Sequence, residues 1–598
     1  MQKNGRDPSR EGNLRMNGAT PGGARRIGVR AGLWRVLLLV GFAVSPTLAR
    51  AADVVLPSAV VPTPAQLTPK PGAGSGSTPE LPSRKRAPPQ LGKPQEDIYL
   101  DVERYAVPPD APLALRQALP ALTAPFVGKH RDFEDLQDAA LAVTRFLQRN
   151  LGYYLGYAYI PAQVPDRHVV QIAILPGRLD HVELNWDPRI PVRKSVVLAY
   201  LERLQPGAII TVKNIERSVF LISDLYGLGL RVDVKPGRLP GTAIVVFSPR
   251  PQKRVSGSVT LDADGSPYIG RYRIGARLTV ASPLGIGDGL SLSALESTTG
   301  GLKFALLGYT APIGGSGLKA GLAVSTLRYA IDSNIFPIGY TGSATAVNVF
   351  ALYPIVRSRN LNLFVVGGGD DKRYDDSISQ LDTRKTVRDV SLQFSGDFRD
   401  AWLRGGIGTF DLSVEHGRID LSGLGGVGND DAPTFDKFNF GVTRLQNLVP
   451  DHYQLYVAVH GQWALDNLDT TEQFRVGGPD GVRAFAPGEG SSDSGVLGSL
   501  ELRWLPPQRL FGRMAREMVL AAFVDAAEVQ FRHDPNVLPR APGYRNTASY
   551  QGIGISLAMS RPGHYGLTVS LARPLRGVTT ADTTARDPRL FAQFTKQF

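Results

Sequence analysis

The sequence of 598 residues contains no cysteine. A cytosolic enzyme of this size would usually carry a few, and their absence fits an oxidising compartment in which stray thiols would mispair. After the first 50 residues, no apolar run reaches the roughly 18 residues that a transmembrane helix needs. Because 42% of the residues are hydrophobic all the same, the chain is expected to be either soluble or a β-barrel, whose lipid face is spread over alternate residues.

The usual marks of catalysis are also missing. There are eight histidines, without the H-E-x-x-H spacing or another metal-ligand spacing. No G-x-S-x-G nucleophile elbow occurs, and the glycine-rich stretch from Gly275 to Gly301 holds no phosphate loop. We therefore predict that the chain is not an enzyme, has no catalytic residues, and uses no metal or cofactor.

The net charge of +13 and the pI of about 9.7 could indicate nucleic acid or an anionic membrane as a partner. The charge is uneven, however, because residues 1–50 hold nine Lys or Arg against two acids and residues 83–86 read SRKR. We predict no nucleic-acid binding.

The N-terminus has the pattern of a secretory signal peptide. Several arginines precede the short apolar stretch Val36 to Val44, and an A-x-A site ends at Ala51. We predict that residues 1–51 are removed, leaving Ala52 at the mature end. The apolar stretch is too short to span a bilayer. Counting from Met16 instead of Met1 gives a signal of more ordinary length, so both starts stay open, and a buried helix of a soluble domain is the alternative.

Two small α/β units are predicted after a linker. Residues 52–96 are rich in Pro, Gly, Ser and Thr and cannot bury enough apolar surface to fold. Residues 97–180 show the order β-α-α-β-β, with apolar residues of the second helix spaced by three and four. Residues 181–250 repeat this order with a different sequence, which indicates an internal repeat.

From residue 253 to 598, apolar and small or polar residues alternate with period two, as in Leu567, Val569 and Leu571. A soluble β-sandwich would also alternate, but the runs are about 10–14 residues long, whereas soluble strands average about five or six. The even number of strands and the short turns that alternate with long loops favour a membrane all-β fold, a sixteen-stranded transmembrane β-barrel. The predicted strands are 254–262, 270–281, 288–298, 301–312, 317–328, 343–354, 359–370, 384–398, 402–416, 434–446, 451–464, 495–505, 517–530, 548–560, 564–575 and 588–598.

The long loop after the eleventh strand carries the densest motif, FRVGGPDGVRAFAPGEGSSDSG, at 474–495. Glycines such as Gly477 and Gly478 allow tight reversals, which suits a loop folded back into a confined lumen. Arg483 stands among Val482, Ala484 and Phe485, so it would be a cation in a partly buried place that needs a carboxylate partner. A solvated surface arginine is the alternative.

The thirteenth strand offers that partner. Phe523 and Asp525 share one face of it, and Leu520, Ala522 and Val524 form the opposite, lipid face. Glu501 and Arg503 also face inward on the twelfth strand. We predict a bidentate bridge between Arg483 and Asp525 that pins the loop inside the pore.

The chain ends in Phe598. Counting back by twos gives Lys596, Phe594, Ala592 and Leu590, so a terminal aromatic would lie on the lipid face of the last strand. Such an ending looks like the signal that the barrel assembly machinery reads, and Lys596 could reach the headgroups.

The loop motif resembles the sixth-loop motif of two-partner secretion transporters, the TpsB or ShlB/FhaC/HecB type, which belong to a superfamily of barrels with POTRA domains. Phe523-x-Asp525 resembles the motif of their thirteenth strand. Segments such as Tyr159 to Gln163, and Glu216 to Leu225, resemble the two POTRA domains. The resemblance spans roughly 97–598 and departs at Ala484, where many relatives have Gly. Relatives often begin with a plug helix, which the proline-rich residues 52–70 do not clearly show.

The resemblance implies an outer-membrane pore with periplasmic POTRA domains at 97–180 and 181–250. An unfolded secreted exoprotein would dock on these domains and leave through the barrel without ATP. Other expected partners are the barrel assembly machinery and outer-membrane lipid or lipopolysaccharide. Two alternatives stay open: an assembly factor of the same superfamily, which would usually carry more POTRA domains, and a passive porin.

Overall fold

A computed structural model describes residues 99–164, 167–334, 339–378, 381–423, 431–536, 545–577 and 587–598. The predicted signal peptide at 1–51 and the linker at 52–96 lie outside the described residues. Within these residues, no helix combines the length and apolarity needed to cross a membrane.

Short strands and two helices make up the first part of the chain. The elements are β1 (Leu100–Val102), β2 (Arg104–Ala106), α1 (Leu113–Thr123), β3 (Gly128–Arg131), α2 (Phe133–Arg149), β4 (Tyr157–Tyr159), β5 (Val169–Gln171) and β6 (Ala173–Leu175). The carboxylate of Asp132 caps α2 by accepting from the amide of Asp135, which satisfies one of the donors that a helix start leaves without a partner. Leu136, Val143 and Leu147 on one face of α2 are buried in a common core with Leu115 of α1.

The next part has the order β-α-α-β-β. It comprises β7 (Arg178–Leu184), α3 (Lys194–Leu201), α4 (Val212–Ser223), β8 (Leu228–Pro236) and β9 (Thr242–Pro251), with sheet order β7-β9-β8. Strand β7 begins at Arg178, which pairs with Thr242 of β9. The predicted boundary between residues 180 and 181 therefore falls inside a strand of this sheet. The two-domain division itself remains a prediction.

The remaining strands form one closed antiparallel barrel of sixteen strands, as predicted. They are β10 (Val255–Asp262), β11 (Arg273–Ala281), β12 (Gly289–Ser297), β13 (Leu302–Ile313), β14 (Leu318–Ala330), β15 (Tyr340–Arg357), β16 (Leu361–Ile378), β17 (Leu381–Asp400), β18 (Gly406–Gly423), β19 (Thr434–Val449), β20 (Tyr453–Ala464), β21 (Ser494–Trp504), β22 (Met518–Gln530), β23 (Thr547–Arg561), β24 (Tyr565–Arg576) and β25 (Arg589–Gln597). Strand β10 pairs with β25, which closes the barrel. All backbone groups in the wall can thus pair within the sheet, as a membrane interior requires.

Four neighbouring strands are longer than predicted. Strands β15 to β18 have 18 to 20 residues each, and the predicted strand 402–416 was misplaced, because Trp402–Arg404 form a short 3-10 turn and the strand begins at Gly406. The added length carries charged residues on the outer face, such as Asp371 and Arg373. A charged outer face breaks the oily alternation from which the strand ends were predicted.

The two faces of the wall differ as a barrel in lipid requires. Outward residues such as Val390, Leu392 and Phe394 of β17 are exposed. Inward residues near the outer end of the wall are instead buried in an apolar cluster, which we call the outer cluster. Its members are Ile269, Leu302, Phe304, Leu306, Leu327, Tyr329, Ile331, Tyr340, Ala344, Tyr374, Val387, Ile419, Phe435, Ala464, Leu468 and Ala486.

Candidate functional site

The connection between β20 and β21, residues 465–493, folds back into the lumen; we call it the inner loop. Two of its glycines are required, Gly477 by close packing and Gly478 by its backbone conformation. A Cβ on Gly477 would lie 2.1 Å from the carbonyl oxygen of Ala486, and Gly478 has φ +118°, a conformation that other residues rarely adopt. These reversals bring Phe474 beside Ser492, where they form an antiparallel bridge.

Arg483 lies at the centre of the site. Its Nε donates to Asp525 Oδ2 at 2.9 Å and its Nη2 to Asp525 Oδ1 at 2.8 Å, a two-pronged bridge. Its Nη1 donates to Glu501 Oε1 at 2.7 Å. The guanidinium carbon lies 3.3 Å from the centre of the Phe523 ring, in the range of a cation–π contact. We call this group of four residues the arginine anchor.

Further groups complete the arginine anchor. The hydroxyl of Ser499 donates to Asp525 Oδ1 at 2.7 Å and accepts from Arg483 Nη2 at 3.0 Å. The Arg483 amide also donates to Asp525 Oδ2 at 3.1 Å. Arg503 donates through Nε to Glu501 Oε2 at 2.8 Å. The side chain of Asp525 is fully buried, so these donors compensate a carboxylate that has lost its water.

Apolar neighbours of Arg483 hold the inner loop to the same wall. Val482, Ala484 and Phe485 are buried in a cluster with Phe523 and Tyr550. The rings of Phe485 and Tyr550 meet edge to face, with centroids 5.1 Å apart.

The departure at Ala484 has a structural counterpart. Gly552 on β23 lies opposite, where an added Cβ would come within 2.6 Å of the Ala484 Cβ. The wall therefore has room for the alanine methyl because it lacks a side chain at residue 552.

The sequence prediction missed a second set of contacts of the inner loop. Glu472 and Asp469 point to three inward lysines, Lys372 on β16, Lys385 on β17 and Lys437 on β19. We call these three lysines the lysine clamp. The sequence signal for such a site is a Lys at an inward position of an alternating strand. It was missed because Lys372 lies beyond the predicted strand 359–370 and Lys385 lies at the edge of the predicted strand 384–398.

The helical part of the second unit is bonded to the end of barrel strand β15. Arg357, at the end of β15, makes a two-pronged bridge to Asp224 with distances of 2.9 and 2.7 Å. Arg217 donates to the carbonyl oxygens of Pro354 and Ile355, both at 3.0 Å. This end of β15 lies at the barrel end opposite to the connection between β20 and β21 from which the inner loop starts.

Phe598 is more than half exposed, and Phe594 and Leu590 are each exposed by about two-fifths. These residues alternate with inward ones along β25, so they share the outer face. The Phe598 amide donates to the Gly257 carbonyl oxygen at 3.0 Å. Among the described residues, no group of His, Cys, Asp and Glu is arranged to hold a metal ion.

Comparison with known proteins decides the family. The family model for the haemolysin secretion/activation protein ShlB/FhaC/HecB matches residues 241–536. The chain belongs to this family. It is therefore an outer-membrane β-barrel of the two-partner secretion type, with periplasmic α/β units before the barrel.

Individual relatives agree with this assignment. The chain is 24% identical over 463 residues to the heme/hemopexin transporter protein HuxB of Haemophilus influenzae, covering 76% of this chain and 80% of that protein. It is 25% identical to the outer membrane transporter CdiB of Escherichia coli, covering 64% of this chain and 65% of that protein. The solved structure of CdiB from Escherichia coli has a TM-score of 0.65 at 17% identity, covering 87% of this chain and 94% of that chain, and shows the likeness in fold.

Proposed function

We propose that this member of the ShlB/FhaC/HecB family exports a secreted exoprotein partner through its barrel, after docking the unfolded partner on the two periplasmic units. The observation that carries the proposal is a folded α/β unit bonded to one end of the barrel, through Asp224 to Arg357 and through Arg217 to the carbonyl oxygens of Pro354 and Ile355. A passive porin does not need such a unit.

The docking step is supported by a sheet edge in the second unit. In the order β7-β9-β8, the strands β7 and β8 lie at the edges of the sheet. Because the start of β7 is already bonded to residues 207–210, β8 is the edge that we assign to docking. An extended segment of the partner could add a strand there, with main-chain hydrogen bonds supplying affinity. The predicted ranges 97–180 and 181–250 are the units we assign to docking.

The arginine anchor would set the position of the inner loop in the pore. Gly477 and Gly478 allow the reversals, Val482, Ala484 and Phe485 pack the motif on the wall, and Arg483 bonds it to Asp525. Phe523, Glu501 and Arg503 would support that bond.

Two further partners belong to the same proposal. The barrel assembly machinery would read the exposed terminal Phe598 during insertion, and the outer leaflet lipid or lipopolysaccharide would surround the apolar outer face. No ATP, metal or other cofactor is invoked, and the chain is proposed to catalyse no reaction.

The test is to inactivate the gene and compare the proteins in the culture medium. We expect one large protein to disappear from the medium and to return when the intact chain is supplied. If the medium is unchanged and the insertion of other outer-membrane barrels fails instead, the chain is an assembly factor and the export proposal is wrong.

A further inference from the structure

The first limb of the inner loop, residues 465–473, is held by charges of the opposite arrangement to the arginine anchor. Here the acids are on the loop and the cations are on the wall. Glu472 accepts from Lys372 at 3.1 Å and from Lys437 at 2.7 Å. Asp469 accepts from Lys385 at 2.7 and 2.8 Å. All five side chains are at most 8% exposed.

The acids of the loop are not the only groups that neutralise the positive charge of the lysine clamp. Lys372 lies 2.8 Å from Asp389 of β17, and Lys437 lies 3.3 Å from Glu415 of β18. These carboxylates belong to the wall and stay beside the lysines if the loop moves away. The ammonium of Lys385 keeps the ring of Tyr374, whose centre is 5.4 Å away.

In the arginine anchor, Asp525 has no second cation beside it among the described residues, because Arg483 is the only cation bonded to it there. If Arg483 left, the fully buried Asp525 would keep a hydrogen bond from Ser499 but no positive charge. A buried charge without its partner is strongly unfavourable, whereas departing loop acids regain water. Release of the loop from the lysine clamp therefore costs less free energy than release from the arginine anchor.

Within the described part of the chain, the first limb has other bonds to the wall only near its two ends: Leu465 and Asp466, next to β20, bond with the backbone of Asp436 on β19, and the Glu472 carbonyl oxygen accepts from Gln462 on β20. The other contacts in the middle of the limb are made outside the wall. Asn467 donates to the carbonyl oxygen of Asp534 at 3.0 Å, and Arg532 donates to the carbonyl oxygen of Leu468 at 2.7 Å. Both partners follow β22 in an outer connection, outside the named strands. The limb could keep them while it leaves the lysine clamp.

The same limb also closes the outer mouth. Leu468 is fully buried in the outer cluster, together with Ala486 from the far side of the inner loop and inward residues from β13 to β20. Lys385 on β17 and Asp525 on β22 lie five strands apart around the barrel. The inner loop thus joins two separate parts of the wall across the lumen.

We propose that the inner loop opens from one side: residues 465–473 leave the lysine clamp and the outer cluster during export, while Arg483 stays bonded to Asp525. The lysines Lys372, Lys385 and Lys437 are then positioning residues that hold the closed state. This inference rests on the proposed export function.

The chain lacks cysteine, so single introduced thiols report on one place each. Leu468→Cys places a thiol in the outer cluster, and Val476→Cys places one in the cluster beside Arg483; both parent side chains are fully buried. Cells exporting the partner are treated with a membrane-impermeant maleimide. We expect Leu468→Cys to be labelled about tenfold faster during export than at rest, and Val476→Cys to show no such increase.

Equal acceleration at both positions would mean that the whole loop leaves, and acceleration at Val476→Cys alone or at neither position would equally overturn the inference. The amount of partner in the medium is measured in the same cells, so that a thiol variant that does not export is recognised. For such a variant, the conductance measurement below decides.

The second measurement needs no partner. Purified full-length protein with Asp469→Asn and Glu472→Gln is inserted into planar lipid bilayers in potassium chloride. Because the change removes charge-assisted bonds of the closed state only, we expect openings to become about tenfold more frequent. The control is Glu296→Gln, whose parent pairs with Lys303 at 3.3 Å on an exposed face.

Unchanged conductance in the loop variant would show that the lysine clamp does not hold the pore closed. If conductance rises but no partner is exported even by the unchanged protein, the export function is wrong and the clamp is retained. The two failures are thus distinguishable.

Discussion

The bridge between Arg483 and Asp525 makes the most demanding prediction. The perturbations are Arg483→Ala, Asp525→Ala, the double change, and Arg483→Lys. Arg483→Ala removes three bonds to carboxylates and the contact with the Phe523 ring. Asp525→Ala removes the acceptor of two of those bonds and leaves Glu501 as the carboxylate that Arg483 still contacts.

Breaking a buried pair by removing one partner costs about 3–5 kcal/mol. Each single alanine variant should therefore lose about that much of the free energy that holds the loop on the wall. The double variant has no orphaned charge at this pair, so it should be little worse than either single one. Arg483→Lys should restore little, because an ammonium cannot make the two-pronged bridge.

Two readouts are needed. The first is the amount of partner secreted per inserted barrel. The second is the temperature of sample heating at which the faster-migrating, folded barrel disappears on a gel. Arg513→Ala, a change at an exposed arginine before β22, is the matched control and should behave like the unchanged protein. If the defects of the two single variants add fully in the double variant, the two residues act independently and the bridge has no functional role.

Three other outcomes are expected. The purified protein should be rich in β-structure and migrate faster on a gel unheated than boiled; a soluble protein without this shift would contradict the barrel. Deleting residues 97–250 should abolish secretion while the barrel still inserts, and the fragment should bind the partner's N-terminal domain; normal secretion would refute docking. Gly552→Ala should cost about 1–3 kcal/mol by crowding Ala484, unlike Gly566→Ala, where an added Cβ meets nothing within 4 Å; equal thermal stability would be the contrary result.

The barrel could be predicted from the sequence because lipid imposes a period of two on every strand. Leu567, Val569 and Leu571 show it directly, and the short turns fix the number of strands. The strand ends were harder, because β16 continues beyond the apolar band with charged outer residues such as Arg373. There the hydrogen-bonded ladder continues although the lipid that caused the pattern has ended.

The arginine anchor was accessible from the sequence for a different reason. A cation in an apolar, glycine-rich loop demands a carboxylate, and few inward acids were available on the neighbouring strands. The involvement of Ser499 and the lysine clamp could not be predicted, because they depend on where the first limb of the inner loop crosses the lumen. No local pattern around Glu472 specifies strands that lie up to 100 residues earlier.

The unequal strand lengths give the barrel an uneven rim. At about 3.3 Å per residue and a tilt near 40°, the 20 residues of β17 rise about 50 Å, whereas the eight of β10 rise about 20 Å. Since the apolar band of such barrels is about 25 Å tall, one side stands well above the cell surface as paired sheet. What an antibody or a phage would meet there is the flat face of several strands at once. Recognition of that face would depend on neighbouring strands staying in register. The same antibody or phage would therefore not bind unfolded protein or short peptides.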